Sequence, residues 1–171
     1  GGWLVATQAI KGGLMVPNMM PVGGVPAYSS FLCDASGEKL AVVFQVPKTG
    51  TLDKFEFQTG TVTVNAASQI RCSFQDVSAA NGDPDGTEDQ YRDIAGSAMV
   101  SGGWNVPGLI TSDGTDTGTK RAVTRNQILA AVVSFSTFTA ADILNVQGVT
   151  NFPTIVNFPY VDHLVGAPAW A

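Results

Sequence analysis

Short runs in which apolar and polar residues alternate, each bounded by Gly, Asn, Asp or Pro, fill most of this chain. The clearest run covers residues 39–46, and residues 47–50 predict a tight connection to a neighbouring strand at 52–57. Phe55 and Phe57 share one side of that second strand, so we expect both to face the core. Similar runs occur at 61–64, 70–77, 102–106, 143–149 and 154–160. Many short strands without alternating helices predict an all-β fold, an antiparallel β-sandwich of the jelly-roll kind.

One segment leaves a helix open as an alternative. Residues 124–133 begin with Thr124, a good helix N-cap, and Gln127 stands at the position of a capping box. The β-branched and aromatic residues that follow, from Val132 to Phe135, suit a buried strand better. The favoured prediction is therefore a strand, with a short helical turn as the alternative.

Composition and charge limit the classes of function. The chain has 171 residues, of which 44% are hydrophobic and 13% charged, and its formal net charge is −5. This hydrophobic content is enough for one folded core. No run of basic residues offers phosphate contacts, and no apolar stretch reaches the roughly 20 residues that a membrane span needs. We expect neither nucleic-acid binding nor membrane insertion.

The first part of the chain differs from the rest in its content of Gly and Pro. Residues 1–30 are predicted to form an extended arm, followed by a sandwich domain over 31–171. Apolar residues on such an arm need a contact, which predicts an assembly interface and a homo-oligomer. The candidate interface residues are Leu14, Met15, Met19, Met20, Trp3 and Trp170. The absence of an initial Met is compatible with a longer polypeptide.

No pattern of residues indicates a catalytic centre, and we expect no enzyme. His163 is the single histidine and no Gly-x-Ser-x-Gly motif accompanies it, which argues against a hydrolytic triad or a catalytic zinc site. Cys33 and Cys72 form no CxxC pair, so buried free thiols and one disulfide both stay open. Paired carboxylates for glycoside hydrolysis are a weaker hypothesis. The acids available for it are Asp53, Glu56, Asp76 and Asp93.

One polar loop has the residue pattern with which a calcium loop begins. Residues 81–86 place side-chain oxygens at alternate positions, and Gly86 follows for the turn. The rest of the motif fails, because Arg92 stands where a bidentate Glu is required. Candidate calcium ligands are Asp83, Asp85, Glu88 and Asp89. An exposed polar hairpin is the favoured explanation of these residues, and no other cofactor is expected. We also expect the loops at 81–93 and 113–118 to face solvent or a ligand.

Two aromatic residues lie where loops meet predicted strands. Tyr91 follows the acidic loop and Trp104 follows a Gly-Gly pair, positions from which an aromatic ring can stack on a sugar. The commoner use of such residues is to close the end of a core or to fill a subunit interface. For Tyr91 and Trp104, packing in a core or interface is the favoured prediction, and stacking on a sugar is the alternative.

Residues 39–57, with the segments 73–77 and 81–92, resemble the jelly-roll sandwich domains of bacteriophage virion proteins and of carbohydrate-binding modules. The resemblance covers residues from about 39 to 160. It implies a non-catalytic structural or attachment component of a virus particle, such as a head decoration, head fibre or tail protein. The implied location is the extracellular virion, the implied partners are other virion subunits, and a host-surface glycan is a further ligand class. The alternative is a carbohydrate-binding module of a larger adhesin or glycan-active enzyme.

Overall fold

The computed structural model describes residues 27–150 and 161–164, with side chains for 30–147. The strands are β1 (Ala27–Cys33), β2 (Lys39–Gln45), β3 (Gly50–Leu52), β4 (Phe57–Thr63), β5 (Gln69–Asp76), β6 (Gln90–Ala95), β7 (Trp104–Asn105), β8 (Arg121–Val123), β9 (Ile128–Thr137), β10 (Ile143–Thr150) and β11 (Val161–Leu164). The described residues contain one short 3₁₀ helix, Gly96–Ala98, and no α-helix. Among them, no helix has the length and apolar character to cross a membrane.

The strands form two main antiparallel sheets that pack face to face. The four-stranded sheet has the order β1-β10-β4-β7, and the five-stranded sheet has the order β11-β2-β9-β5-β6. A small sheet of β3 and β8 extends the pair formed by β2 and β9. The core lies between the two main sheets, since one buried cluster contains Leu144 and Phe57 from the first and Leu129 from the second. The predicted all-β sandwich is confirmed.

Phe74 of β5 lies at the centre of this core. It is 1% exposed, and its ring contacts Phe44 and Phe55 edge to face, with centroid distances of 6.2 and 5.3 Å. Such aromatic pairs add roughly 1 kcal/mol to the free energy gained by burying each ring. Phe57 packs beside Phe55 at 6.5 Å, so the prediction that both face the core is confirmed.

The predicted strand at 52–57 is wrong as a single element. Leu52 ends β3 and Phe57 begins β4, while residues 53–56 cross between sheets without a regular ladder. The two strands joined by the predicted connection at 47–50, β2 and β3, are also not neighbours. Strand β2 pairs with β9 and β11, whereas β3 pairs with β8. Burial of the two rings does not require one strand: Phe55 reaches the core from the crossing segment, and Phe57 reaches it from β4, where it pairs with Asn105.

The ambiguous segment at 124–133 is a turn followed by a strand. Thr124 N–H donates to the side-chain oxygen of Gln127 at 3.1 Å, the contact expected of a capping box. Asn126, however, has φ 70°, a left-handed conformation that stops a helix and closes a tight turn. Strand β9 then begins at Ile128, which confirms the favoured prediction.

A buried carboxylate joins the two connections that cross between the sheets at one end of the sandwich. Asp142 is 1% exposed and accepts hydrogen bonds from Asn65 N–H at 2.7 Å, Ser68 O–H at 2.6 Å and Thr139 N–H at 2.6 Å. Burial alone would raise the pKa of Asp142, but these hydrogen bonds outweigh it and hold the pKa below its ordinary value. One charged side chain thereby fixes the β4–β5 and β9–β10 connections together.

Several predictions fall partly or wholly outside the described residues. Strand β1 begins at Ala27, inside the range predicted as an arm, and the rest of that range is not described. The candidate interface residues Leu14, Met15, Met19, Met20, Trp3 and Trp170 also lie outside, as does the strand predicted at 154–160. His163 belongs to β11, paired with Leu40 of β2.

Both cysteines are free thiols in the core, so we predict that neither reacts while the protein is folded. Cys33 and Cys72 are each 0% exposed. Burial, reinforced by the nearby charges of Glu38 and Asp34, raises the pKa of Cys33 to about 12, and burial also raises the pKa of Cys72. Because the thiolate is the nucleophile, Ellman's reagent should detect no thiol in native protein and both after unfolding in guanidinium. Rapid native reaction of either thiol would contradict the burial, and missing thiols after unfolding would indicate a disulfide.

Replacing Asp142 with Ala is expected to lower the free energy of unfolding by roughly 2–4 kcal/mol at neutral pH, since buried donors lose a charged acceptor. The folded pKa is depressed, so the contribution is present above the unfolded pKa of about 3.9 and is lost as pH falls through the folded pKa. Urea unfolding of wild type and Asp142→Ala at several pH values should therefore show a gap that closes in acid. Asp89→Ala, at an exposed carboxylate, is the control. A gap of constant size would contradict this account.

Candidate functional site

The outer faces of the two sheets differ: a loop covers that of the five-stranded sheet, whereas that of the four-stranded sheet exposes Trp104. On the five-stranded sheet, alternate residues of β9 point away from the core, and Ala130 and Val132 are both 0% exposed. They form a small second cluster with Ala41, against which Val43 and Val77 pack. A sheet face buried in this way needs a cover.

The loop between β5 and β6, residues 77–89, provides that cover. Asp85 N–H donates to the carbonyl of Asp76 at 2.9 Å, and Gly86 N–H donates to the side-chain oxygen of Gln75 at 3.2 Å. Gln75 is itself 0% exposed, and Pro84 within the loop is buried. The loop therefore packs on the sheet through Pro84, while Asn81, Gly82, Asp85, Thr87 and Asp89 are exposed, as expected of a loop that faces solvent or a ligand. The range predicted for this loop was too long, because Gln90–Ala95 is strand β6.

A row of charged side chains fastens this loop. Strand register places Lys39, Ser134, Arg71 and Asp93 side by side across four strands. Glu88 from the loop lies 3.1 Å from Arg71 Nη1 and 4.0 Å from Lys39 Nζ. The Arg71 guanidinium also donates one hydrogen bond to each carboxylate oxygen of Asp93, both at 2.8 Å. The hydrogen bonds to Asp93 raise the pKa of the Arg71 guanidinium, burial opposes them, and Glu88 raises it further.

Tyr91 belongs to this closed face. The Arg71 guanidinium stacks over its ring at 4.2 Å, and a side chain at Gly114 would come within 2.5 Å of the ring edge. The Tyr91 hydroxyl donates to the carbonyl of Asp113 at 3.3 Å. One ring face is thus occupied by Arg71, which leaves little of Tyr91 for a sugar.

The calcium candidates are spread along the covering loop. Asp83 accepts a hydrogen bond from the Asn81 side chain at 2.7 Å, and Asp85 accepts one from Thr87 N–H at 2.9 Å. Glu88 is held by Arg71, and Asp89 is exposed. Within 27–150 and 161–164, no three His, Cys, Asp or Glu side chains are grouped to hold a metal ion. Calcium binding stays a prediction, and no cluster of ligands among the described residues supports it.

The outer face of the four-stranded sheet is different. Ser30 of β1 pairs with Gln147 of β10. Val146 of β10 pairs with Thr59 of β4, so the antiparallel register, continued by one residue, places Gln147 opposite Gln58. Gln58 in turn pairs with Trp104 of β7. Ser30, Gln147, Gln58 and Trp104 form one row across this sheet, which we call the amide row. With strands about 4.8 Å apart, the row is roughly 14 Å long.

A β-bulge at Gly60 shapes the surface beside the amide row. Val62 lies opposite Leu144 and Thr59 opposite Val146, so β4 has one more residue than β10 between these pairs. A side chain at Gly60 would meet the Gln147 amide nitrogen at 2.5 Å. The Gln147 amide therefore lies over the backbone of Gly60, and glycine is needed there because a side chain would collide with this amide.

Trp104 is held on this face by a buried asparagine. Asn105 is 3% exposed; its side chain accepts from Val100 N–H at 2.8 Å and donates to the Val100 carbonyl at 3.0 Å. It also donates to the Thr59 hydroxyl at 3.2 Å. Alternation along β7 then directs Trp104 outward, where it is 41% exposed.

The hydrogen-bonding groups of the amide row are largely unused. Gln147 donates to the Ser30 hydroxyl at 2.8 Å. Neither the Gln58 amide nor the Trp104 indole N–H has a partner within the described part of the chain. Nearby outward-facing residues are likewise uncharged: Leu32, Gly60, Thr61, Thr63, Ile143 and Asn145. This face can bind a ligand that offers hydroxyls and an apolar surface.

The sequence-predicted aromatic pair is not one platform, because Tyr91 lies in the five-stranded sheet and Trp104 in the four-stranded sheet. Sequence reasoning found Trp104 but missed Ser30, Gln58 and Gln147. These three are polar strand residues of a common type, far apart along the chain, and only the strand register makes them neighbours.

The acids considered for glycoside hydrolysis lie in separate ion pairs. Asp53 pairs with Lys120 at 2.8 Å, Asp76 pairs with Arg121, and Asp93 is held by Arg71. Glu56 lies in the segment that crosses between β3 and β4. None of these contacts brings two of the four carboxylates together.

Neither a protein-family model, nor a curated protein, nor a solved structure matches this chain.

The charged row predicts how the covering loop is held. Replacing Glu88 with Ala should lower the free energy of unfolding by only roughly 1 kcal/mol, because water screens these partly exposed ion pairs. The larger effect should be local: hydrogen–deuterium exchange should accelerate across residues 77–89 and at Gln75. Lys120→Ala, which removes the more exposed pair with Asp53, is the matched control and should leave this exchange unchanged. Unaltered exchange in Glu88→Ala would show that the loop does not depend on the ion pairs.

Proposed function

We propose that this chain is a non-catalytic attachment component of a virus particle, with a jelly-roll type of sandwich as its framework. The outer face of the four-stranded sheet is its binding surface. The part of the predicted arm that precedes strand β1, residues 1–26, joins it to other virion subunits.

The observation that carries the proposal is the contrast between the two outer faces. One is closed by the loop at 77–89 and by the Glu88 to Arg71 pair. The other exposes Trp104, 41%, beside the Gln58 amide, which has no hydrogen-bond partner within the described part of the chain. A large aromatic side chain held in the open by a buried anchor such as Asn105 is typical of a recognition surface.

Charge supports attachment to a neutral surface. The amide row contains no ionisable side chain, so it provides neither acid-base catalysis nor a strong field for steering ions. The resemblance of residues 39–57, 73–77 and 81–92 to phage virion domains supports a particle as the setting.

The proposal predicts that the chain lies on the surface of particles from the virus that encodes it. Antibodies raised against the purified chain should label these particles in immunogold electron microscopy and should reduce their adsorption to host cells. Depleting the antibodies on wild-type protein should remove the blocking activity. Depleting them on a Gln58→Lys, Trp104→Ala variant should leave it if the amide row makes the contact. Absence of the chain from purified particles would overturn the proposal.

A further inference from the structure

The geometry points to a neutral oligosaccharide as the ligand of the amide row, lying across the strands with one sugar ring stacked on Trp104. This inference rests on the proposed attachment function and names the ligand class of the same surface. Three independent features of the row argue for it.

The first feature is the combination of groups in the row. A sugar offers C–H bonds on the faces of its ring and hydroxyls around its rim. Trp104 supplies an apolar face for the ring, while amides such as Gln58 supply a donor and an acceptor for adjacent hydroxyls. Because Gln58 pairs directly with Trp104 across β4 and β7, the two groups can contact the same sugar.

The second feature is the shape of the surface. The row runs for roughly 14 Å in a nearly straight line from Trp104 to Ser30, with strands as its only framework. Because Gly60 has no side chain, the Gln147 amide lies down over its backbone and does not project from the sheet, so a chain of linked rings can lie across this part of the row. A single small molecule would not need such length.

The third feature is the absence of charge, which separates a neutral glycan from other occupants. A sialylated, sulfated or uronic-acid glycan requires a cationic group, whereas the row and its outward-facing neighbours carry none. A protein interface of standard size requires an apolar centre with several large anchors. Leu32 and Ile143 belong to β1 and β10, whereas Trp104 lies in β7 at the opposite edge of the sheet, with the exposed Val100 and Val106 near it in the chain. The exposed apolar residues therefore do not form one central patch.

The test is a binding assay with defined sugars. Maltohexaose, cellohexaose, mannohexaose and chitohexaose serve as neutral probes, and sialyllactose and a heparin hexasaccharide serve as charged ones. Isothermal titration should detect at least one neutral hexaose with an affinity that changes little up to about 0.5 M NaCl, because no ion pair contributes. Both charged probes should show no binding.

Variants connect binding to the row. Trp104→Ala should weaken binding by about tenfold or more, and Trp104→Phe should restore part of it. Gln58→Ala should weaken it by roughly three- to tenfold. The matched control is Ile128→Ala, which shortens a side chain of similar exposure, 45%, on the other sheet and should change nothing. Unchanged thermal unfolding shows that each variant is folded.

Three results would overturn the inference: no neutral hexaose bound at concentrations up to about 10 mM, binding unaffected by Trp104→Ala, or a preference for the charged probes. A fall in oligomer mass caused by Gln58→Lys, without glycan binding, would identify the face as a subunit interface and also overturn it. Failure of the proposed function looks different: the chain would bind sugar as inferred yet be absent from virus particles.

Discussion

The structure depends on one strand, β9, that is buried on both faces. Leu129, Ala131 and Val133 face the core, while Ala130 and Val132 face outward and are equally buried. A strand of this kind cannot lie at the surface of a simple two-layer sandwich, because its outer side would expose apolar groups to water. The loop at 77–89 is the third layer that this burial demands.

The covering loop is the reason why the proposed binding face is assigned to the other sheet. Small side chains on the outer side of β9 let the loop approach closely, and Lys39 and Arg71 on the flanking strands hold it through Glu88. Glu88, a candidate calcium ligand, thereby holds the loop on the sheet. What remains open is the uncharged sheet, where Asn105 fixes Trp104 at the edge.

Sequence patterns predicted what depends on local alternation and missed what depends on register. Alternation located β5, β9 and β10 and placed Phe55 and Phe57 in the core. It joined 52–57 into one strand because the crossing between sheets keeps both rings inside. Of the site, Trp104 alone was found: Ser30, Gln58 and Gln147 carry no local signal, and their alignment follows from hydrogen-bonded pairing of distant strands.

A neutral site has a kinetic consequence that bears on how attachment would work. If the amide row binds a sugar as proposed, it would associate at an ordinary rate, because no field steers the ligand. A few hydrogen bonds with one stacked ring would hold that ligand briefly. Weak sites of this kind become effective when several act together, because each bound copy raises the effective concentration of the next. The apolar arm predicted at residues 1–30 offers a means of bringing copies together. On a particle, the sheet face would supply specificity for a sugar surface, and repetition would supply strength.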